Sequence, residues 1–126
     1  MHKKFSDKVH DMYYRIGTLT CPAFPGETIY FNKHGFNHLL RKNRKYRSPQ
    51  EQRRRFQLLS FVVDILKNSN HIDSVRISTL SNSIARFWTI KALRKDNERN
   101  TVIYVVLRKC NDGLLHFFSV YDSRIK

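Results

Sequence analysis

The four residues Ser48-Pro49-Gln50-Glu51 constrain this chain more than any other stretch. Ser48 is placed to accept from a free amide in the first turn of a helix. Pro49 suits the first helical position, where no amide proton is needed, and Glu51 completes a capping box. Behind them Phe56, Leu59, Val62, Val63 and Leu66 recur at intervals of three and four, the period of one buried helix face. Asn68-Ser69-Asn70 closes the pattern. The spacing predicts one long amphipathic helix against which the rest of the chain must pack.

On its N-terminal side, Phe5, Val9, Met12, Tyr13 and Ile16 fit a shorter amphipathic helix. Gly17 and then Cys21-Pro22-Ala23-Phe24-Pro25-Gly26 end it in a rigid connector. Glu27 to Phe31 reads as a short strand, and Asn32 caps a helix from Lys33 to about Asn43. On the C-terminal side the pattern turns β-like. Arg86 to Leu93 and Thr101 to Cys110 are rich in aromatic and β-branched residues, with a polar, turn-like stretch at Lys95 to Asn100. Asn111-Asp112-Gly113 reads as a hairpin turn, and Leu114 to Tyr121 returns as the last strand. Residues 71–83 read as a strand or a packed loop. The expected fold class is α+β: N-terminal helices followed by a four-stranded antiparallel sheet, with the helices on one face.

Size and composition narrow the class. A chain of 126 residues is one domain long, and 40% hydrophobic residues suffice for a core. No apolar run approaches the roughly 18 residues that span a bilayer, so no membrane partner is expected. The N-terminus shows no secretory signal, and a cytoplasmic setting is the expectation. Cys21 and Cys110 lie far apart with no CxxC partner, which argues against a disulfide scaffold or a cysteine-rich zinc module.

The charge is strong and uneven. The net charge is +14, and residues 31–60 alone hold nine basic groups and one acidic group. The excess centres on Arg41, Lys42, Arg44, Lys45 and Arg47, followed by Arg53, Arg54 and Arg55. A solvated helix face is the plain reading. A polyanion or an acidic protein would relieve the self-repulsion, and phosphate backbones do so with counterion release.

No phosphate-binding glycine loop, HExxH, GxSxG or clustered carboxylate set is present, so nucleotide hydrolases, zinc proteases and two-metal nucleases lack support. Any chemistry is expected to need no metal and no cofactor. His34 and His38 are four apart on the predicted helix, with Arg41 three further along the same side. Imidazoles beside a cation suit RNA cleavage by the 2′-hydroxyl, because their ordinary pKa near 6.5 serves both acid and base. A zinc pair would share this spacing, but no third ligand is evident. In the final strand, strict alternation puts His116 with Phe118 and Val120, and Ser119 with Phe117 and Tyr121. The loop length leaves open whether Lys109 or Arg108 lies opposite His116. Lys91 and Arg94 come from the preceding strand, and Tyr46, Trp88 and Tyr121 are candidates for stacking on bases.

Taken in order, Thr28-Ile29-Tyr30-Phe31, Lys33-His34 to Leu40, the long helix, Arg86 to Leu93, Val102 to Leu107 and His116-Phe117-Phe118-Ser119-Val120 resemble the barnase–EndoU–colicin–RelE superfamily, most nearly its phage- and toxin-associated branches. The resemblance spans residues 27–122. It implies a ribonuclease domain at 27–126, with residues 1–26 as a helical extension. It also implies metal-independent endonuclease activity that leaves a 2′,3′-cyclic phosphate. Under it, His34 and His38 match the family's helix position, Lys91 or Arg108 its basic strand residue, and Ser119 its polar residue in the last strand. The acidic general base of the barnase kind has no counterpart, so the base lies open between the two histidines. RNA (tRNA or mRNA) would be the substrate, and an acidic antitoxin or immunity protein the partner. Arg41, Lys42, Arg44, Lys45, Arg47, Arg53, Arg54 and Tyr121 would hold the RNA. The rival expectation is a non-catalytic nucleic-acid-binding module, or a regulator of an acidic protein, built on the same basic stripe.

Overall fold

The computed structural model describes residues 5–42, 44–80, 83–111 and 113–123. Asn43 and Asp112, expected at a helix end and in a turn, lie outside them. In chain order the elements are α1 (Phe5–Ile16), β1 (Thr18–Thr20), β2 (Thr28–Tyr30), α2 (Lys33–Leu40), β3 (Arg41–Lys42), β4 (Lys45–Tyr46), α3 (Pro49–Asn68), β5 (Ser74–Leu80), β6 (Ser83–Asp96), β7 (Arg99–Cys110) and β8 (His116–Asp122).

The class is α+β, but the sheet is larger than the sequence suggests. Six strands run in the order β1-β2-β8-β7-β6-β5, and β3 and β4 form a separate two-stranded sheet. Strands β5 to β8 pair antiparallel, and so do β1 and β2. β2 joins β8 through one parallel bridge, Tyr30 to His116, which makes the sheet mixed rather than four-stranded and antiparallel. Residues 74–80 resolve the ambiguous stretch as an edge strand along β6. The polar turn after β6 tightens to Asn97 and Glu98, both left-handed with φ of 51° and 66°.

The long helix begins as its cap dictates: Ser48 Oγ accepts from the Glu51 amide at 3.1 Å. The reciprocal half of the box is replaced, because the Glu51 carboxylate takes Arg47 and Arg55 instead. The buried stripe of α3 is Phe56, Leu58, Leu59, Val62, Ile65 and Leu66, with Val63 turned partly outward. It packs in one cluster with Ile90, Ile103, Val105, Leu107, Phe117 and Val120 from one face of the sheet. Val9 and Tyr13 of α1, and Cys21 and Phe24 after it, belong to that same cluster, so residues 5–26 share the core. Gly17 ends α1 with φ of 69°, the left-handed turn that glycine adopts without strain.

α2 lies along β8, outside its pairing with β2. Gly35 is the point of closest approach: a side chain there would run into the Phe117 carbonyl and lie 2.5 Å from the Tyr13 hydroxyl. The helix stops at Leu40, because Arg41 turns extended (φ −131°, ψ 153°) and pairs with Tyr46 in the β3–β4 hairpin. Among the described residues, no helix is long and apolar enough to cross a membrane.

Candidate functional site

The site starts from an irregularity in β8. Arg108 pairs with His116 and Leu107 with Phe117, but Val106 pairs with Ser119, so Phe118 is an extra residue. Such a bulge shifts the inside–outside alternation by one. The strict alternation expected from sequence is therefore corrected. His116, Ser119 and Tyr121 share a face, while Phe117 and Val120 turn into the core. The ladder puts Arg108, Val106 and Tyr104 of β7, Phe87, Thr89 and Lys91 of β6, and Arg76 of β5 on the same face. Phe87 and Val106 are buried there, outside the main core cluster.

α2, the β3–β4 hairpin and the start of α3 wall off one side of this face. The result is a cavity of about 310 Å³ bordered by His38, Lys42, Arg47, Arg55 and Arg76, with Ser119 and Tyr121 among the remaining lining residues. Among the described residues no carboxylate lines it. Arg47 and Arg55 are almost wholly buried, at 5% and 4% exposure. Arg47 donates from Nε to the His38 carbonyl (3.0 Å) and from Nη1 to Glu51 (3.0 Å). Arg55 Nη1 donates to Ser119 Oγ (3.0 Å) and to the Val120 carbonyl (2.9 Å), covering the β8 edge where no strand pairs. Ser119 Oγ thus acts as acceptor to Arg55, and its own proton remains available to the cavity.

Three imidazoles approach this region, and all are driven toward the neutral form. His38 lies on Phe118, ring centroids 4.2 Å apart. Burial first, and then Arg47, Arg55, Arg108 and Lys42, lower its pKa to about 4. The Arg47 Nη2 group sits 3.4 Å from His38 Nδ1. A guanidinium only donates, so Nδ1 accepts and the neutral ring carries its proton on Nε2. His116 is buried, and burial, opposed by its bond to the Leu114 carbonyl, lowers its pKa; Arg108 and His34 lower it further. It accepts from Arg108 Nε at 3.0 Å through Nε2, and its Nδ1 lies 3.1 Å from the Leu114 carbonyl. Both nitrogens are committed, and the ring fixes Arg108, whose guanidinium lies 4.7 Å over Phe118. His34 is exposed and 5.7 Å from the His116 ring; burial, then Arg108 and Lys33, lower its pKa.

Comparison of the chain with protein-family models, curated proteins and solved structures finds no match.

Of the residues singled out from sequence, His38, Lys42, Arg47, Ser119 and Tyr121 line the cavity. Arg108 joins them through Phe118, and His34 lies beyond Arg108 rather than in the cavity. Lys91 is exposed beside Asp73 (4.0 Å), in the same cross-strand row as Tyr104 and Tyr121. Arg41, Arg44 and Lys45 are exposed on the hairpin and its tip, and Arg53 is exposed on α3. Arg41 also holds the Tyr46 hydroxyl at 2.6 Å. Arg54 departs from the expected stripe: it binds Asp96 (2.6 Å) and the fully buried Asp122, tying α3 to the ends of β6 and β8. Trp88 lies on the core-facing side of the sheet, edge-on to Phe24. Sequence reasoning missed Arg76, counted Arg55 only within the basic stripe, and placed His116 on the last strand without a role. Arg55 had a signal, since it falls in register with Leu58, Leu59 and Val62 on the apolar stripe, where a cation needs a reason. His34 and His38 gain no third ligand: among the described residues no group of three or more His, Cys, Asp or Glu is placed to hold a metal.

Proposed function

We propose that this protein is a metal-independent ribonuclease whose cationic cavity binds the scissile phosphate of RNA. One observation carries the reading: Lys42, Arg47, Arg55 and Arg76 border a cavity on an open sheet face, beside Ser119, with no described carboxylate among the lining residues. Such a site suits an anion such as a phosphate diester and repels other cations. The base falls to His34, whose pKa is lowered and whose ring is solvent-exposed. It takes the 2′-hydroxyl proton, the 2′-oxygen bonds to phosphorus, and the bond to the 5′-oxygen breaks. The Lys42 ammonium protonates the leaving oxygen. Arg108, held by His116, and the Nε2–H of His38 meet the charge that develops on the phosphate oxygens. Ser119 donates its free proton to the same group. Lys91 and the exposed cations Arg41, Arg44, Lys45 and Arg53 guide the RNA backbone, and an acidic antitoxin would cover the same surface.

Purified protein incubated with total RNA in EDTA tests this. Cleavage with 2′,3′-cyclic phosphate ends, abolished by the His34→Ala, His38→Ala double variant, is the expected result. One observation favours a second reading, a non-catalytic RNA-binding module. His34, the base of the first reading, lies beyond Arg108 rather than among the residues that line the cavity. Intact RNA with salt-sensitive binding would establish that module instead.

A further inference from the structure

Beyond the cavity, the open face carries an aromatic pair that the cleavage chemistry does not use. Tyr104 of β7 and Tyr121 of β8 are direct cross-strand partners. Their rings stack 4.9 Å apart with planes only 16° from parallel. Both are half-buried, on the side of the sheet opposite the core. Lys91 pairs with Tyr104 from the other flank, so the row reads cation, ring, ring. Tyr121 also borders the phosphate cavity. The next row along holds Thr89, Val106 and Ser119, two residues or roughly 7 Å away along the strands, within reach of a single nucleotide. A cation–aromatic contact, Arg76 over Phe87 at 4.4 Å, borders the cavity from β5.

Flat rings beside a phosphate site offer a π-surface to a base, and a base can use it only when it is not already stacked in a duplex. We infer that Tyr104 and Tyr121 form a nucleobase platform, and that the ligand of this face is single-stranded RNA with a base stacked on an outer ring face of the pair and its phosphate in the cavity. The inference rests on the phosphate reading of the cavity. Lys91 steers the backbone on the far side of the platform. Sequence specificity is weak, because stacking accepts any base.

Fluorescence anisotropy at fixed ionic strength tests the inference with three labelled probes: a single-stranded oligoribonucleotide, an abasic sugar–phosphate strand of equal length, and an RNA duplex. Wild-type protein binds the base-bearing single strand most tightly. Tyr104→Ala weakens that binding about tenfold and leaves the abasic strand unchanged. Tyr104→Trp keeps a ring and binds the base-bearing strand at least as well as wild type. Equal wild-type affinity for base-bearing and abasic strands, preference for the duplex, or equal weakening of both single strands by Tyr104→Ala overturns the platform. Loss of cleavage alone, with this pattern intact, removes the ribonuclease reading and leaves the platform standing. No binding to the abasic strand at low salt removes the phosphate site and the platform's basis together.

Discussion

Titration of His38 probes the electrostatics of the cavity most directly. Its ring is partly buried against Phe118, and the nearby cations Arg47, Arg55, Arg108 and Lys42 act in the same direction as burial. The folded group therefore takes up a proton only near pH 4. In the unfolded chain the same imidazole titrates near 6.5. Between those values the unfolded chain holds a proton that the folded chain does not, so stability is full above pH 6.5 and falls as the pH drops toward 4. At about 1.4 kcal/mol per pH unit, the loss by pH 4.5 approaches 3 kcal/mol, and partial solvent access reduces it to about 2 kcal/mol. Urea unfolding at pH 7.5 and 4.5 measures it, with His38→Gln as the reference that cannot titrate. The wild type should lose about 2 kcal/mol more than the variant. The imidazole Cε1–Hε1 resonance, followed by NMR, gives the midpoint directly, and inorganic phosphate in the cavity should raise it. A midpoint at or above 6.5, or a variant as acid-sensitive as the wild type, would refute the buried cationic environment assigned to this ring.

Two further perturbations test how the site is held. Gly35→Ala drives a methyl group into the Phe117 carbonyl and the Tyr13 hydroxyl. Overpacking of about 3 kcal/mol, less about 1 kcal/mol of gained helix propensity, leaves a net loss of about 2 kcal/mol. An unchanged denaturation midpoint would show that α2 does not sit so closely on β8. Asp122→Asn removes the charge opposite Arg54 at a fully buried position. Breaking such a pair costs about 3 kcal/mol, and Arg54→Met in the same chain should recover part of it in a double-mutant cycle. Strict additivity of the two substitutions would mean that the pair is not coupled.

Local signals made part of the fold legible in the sequence. The α3 cap and stripe are contiguous, so Ser48, Glu51 and the Phe56–Leu66 spacing mark the helix without tertiary help. β7 is likewise marked by the unbroken apolar run Val102 to Leu107, and β8 by the apolar residues on either side of Ser119. The size of the sheet was not legible, because β1 and β2 have three residues each and β2 joins β8 by a single parallel bridge from far along the chain. β5 alternates over Ser74-Val75-Arg76-Ile77-Ser78, but at the sheet edge its apolar positions Val75 and Ile77 stay exposed. At the site, His38 and Ser119 were singled out from the sequence, and both line the cavity. The bulge at Phe118 was not, because the extra residue shows only when β8 is laid against β7. Without it the alternation turns His116 toward the core with Val120, and its hold on Arg108 is hidden. The basic stripe misled by treating adjacent arginines alike, whereas helical geometry sends Arg53, Arg54 and Arg55 in three directions.

Those three directions separate structural charge from functional charge. Arg54 meets two carboxylates, and their hydrogen bonds outweigh its burial and hold its pKa above the usual range. It ties helix to sheet and presents little charge to solvent. Arg55 is more deeply buried but poorly matched. Burial and the neighbouring Arg47 lower its pKa to about 10, Glu51 lies 3.5 Å away and is shared with Arg47, and Arg55 Nε has no hydrogen-bond partner among the described residues. Buried guanidinium without full compensation is costly to the fold. That cost falls when an anion enters the cavity, so under the proposed reading the arrangement that weakens the free protein would strengthen its hold on a phosphate. Ligand binding and folding stability are thereby linked: a phosphate-bearing strand that occupies the cavity should raise the unfolding midpoint with the logarithm of its concentration. Under the proposed reading, the field that makes the free chain repel itself is the same field that would gather a polyanion.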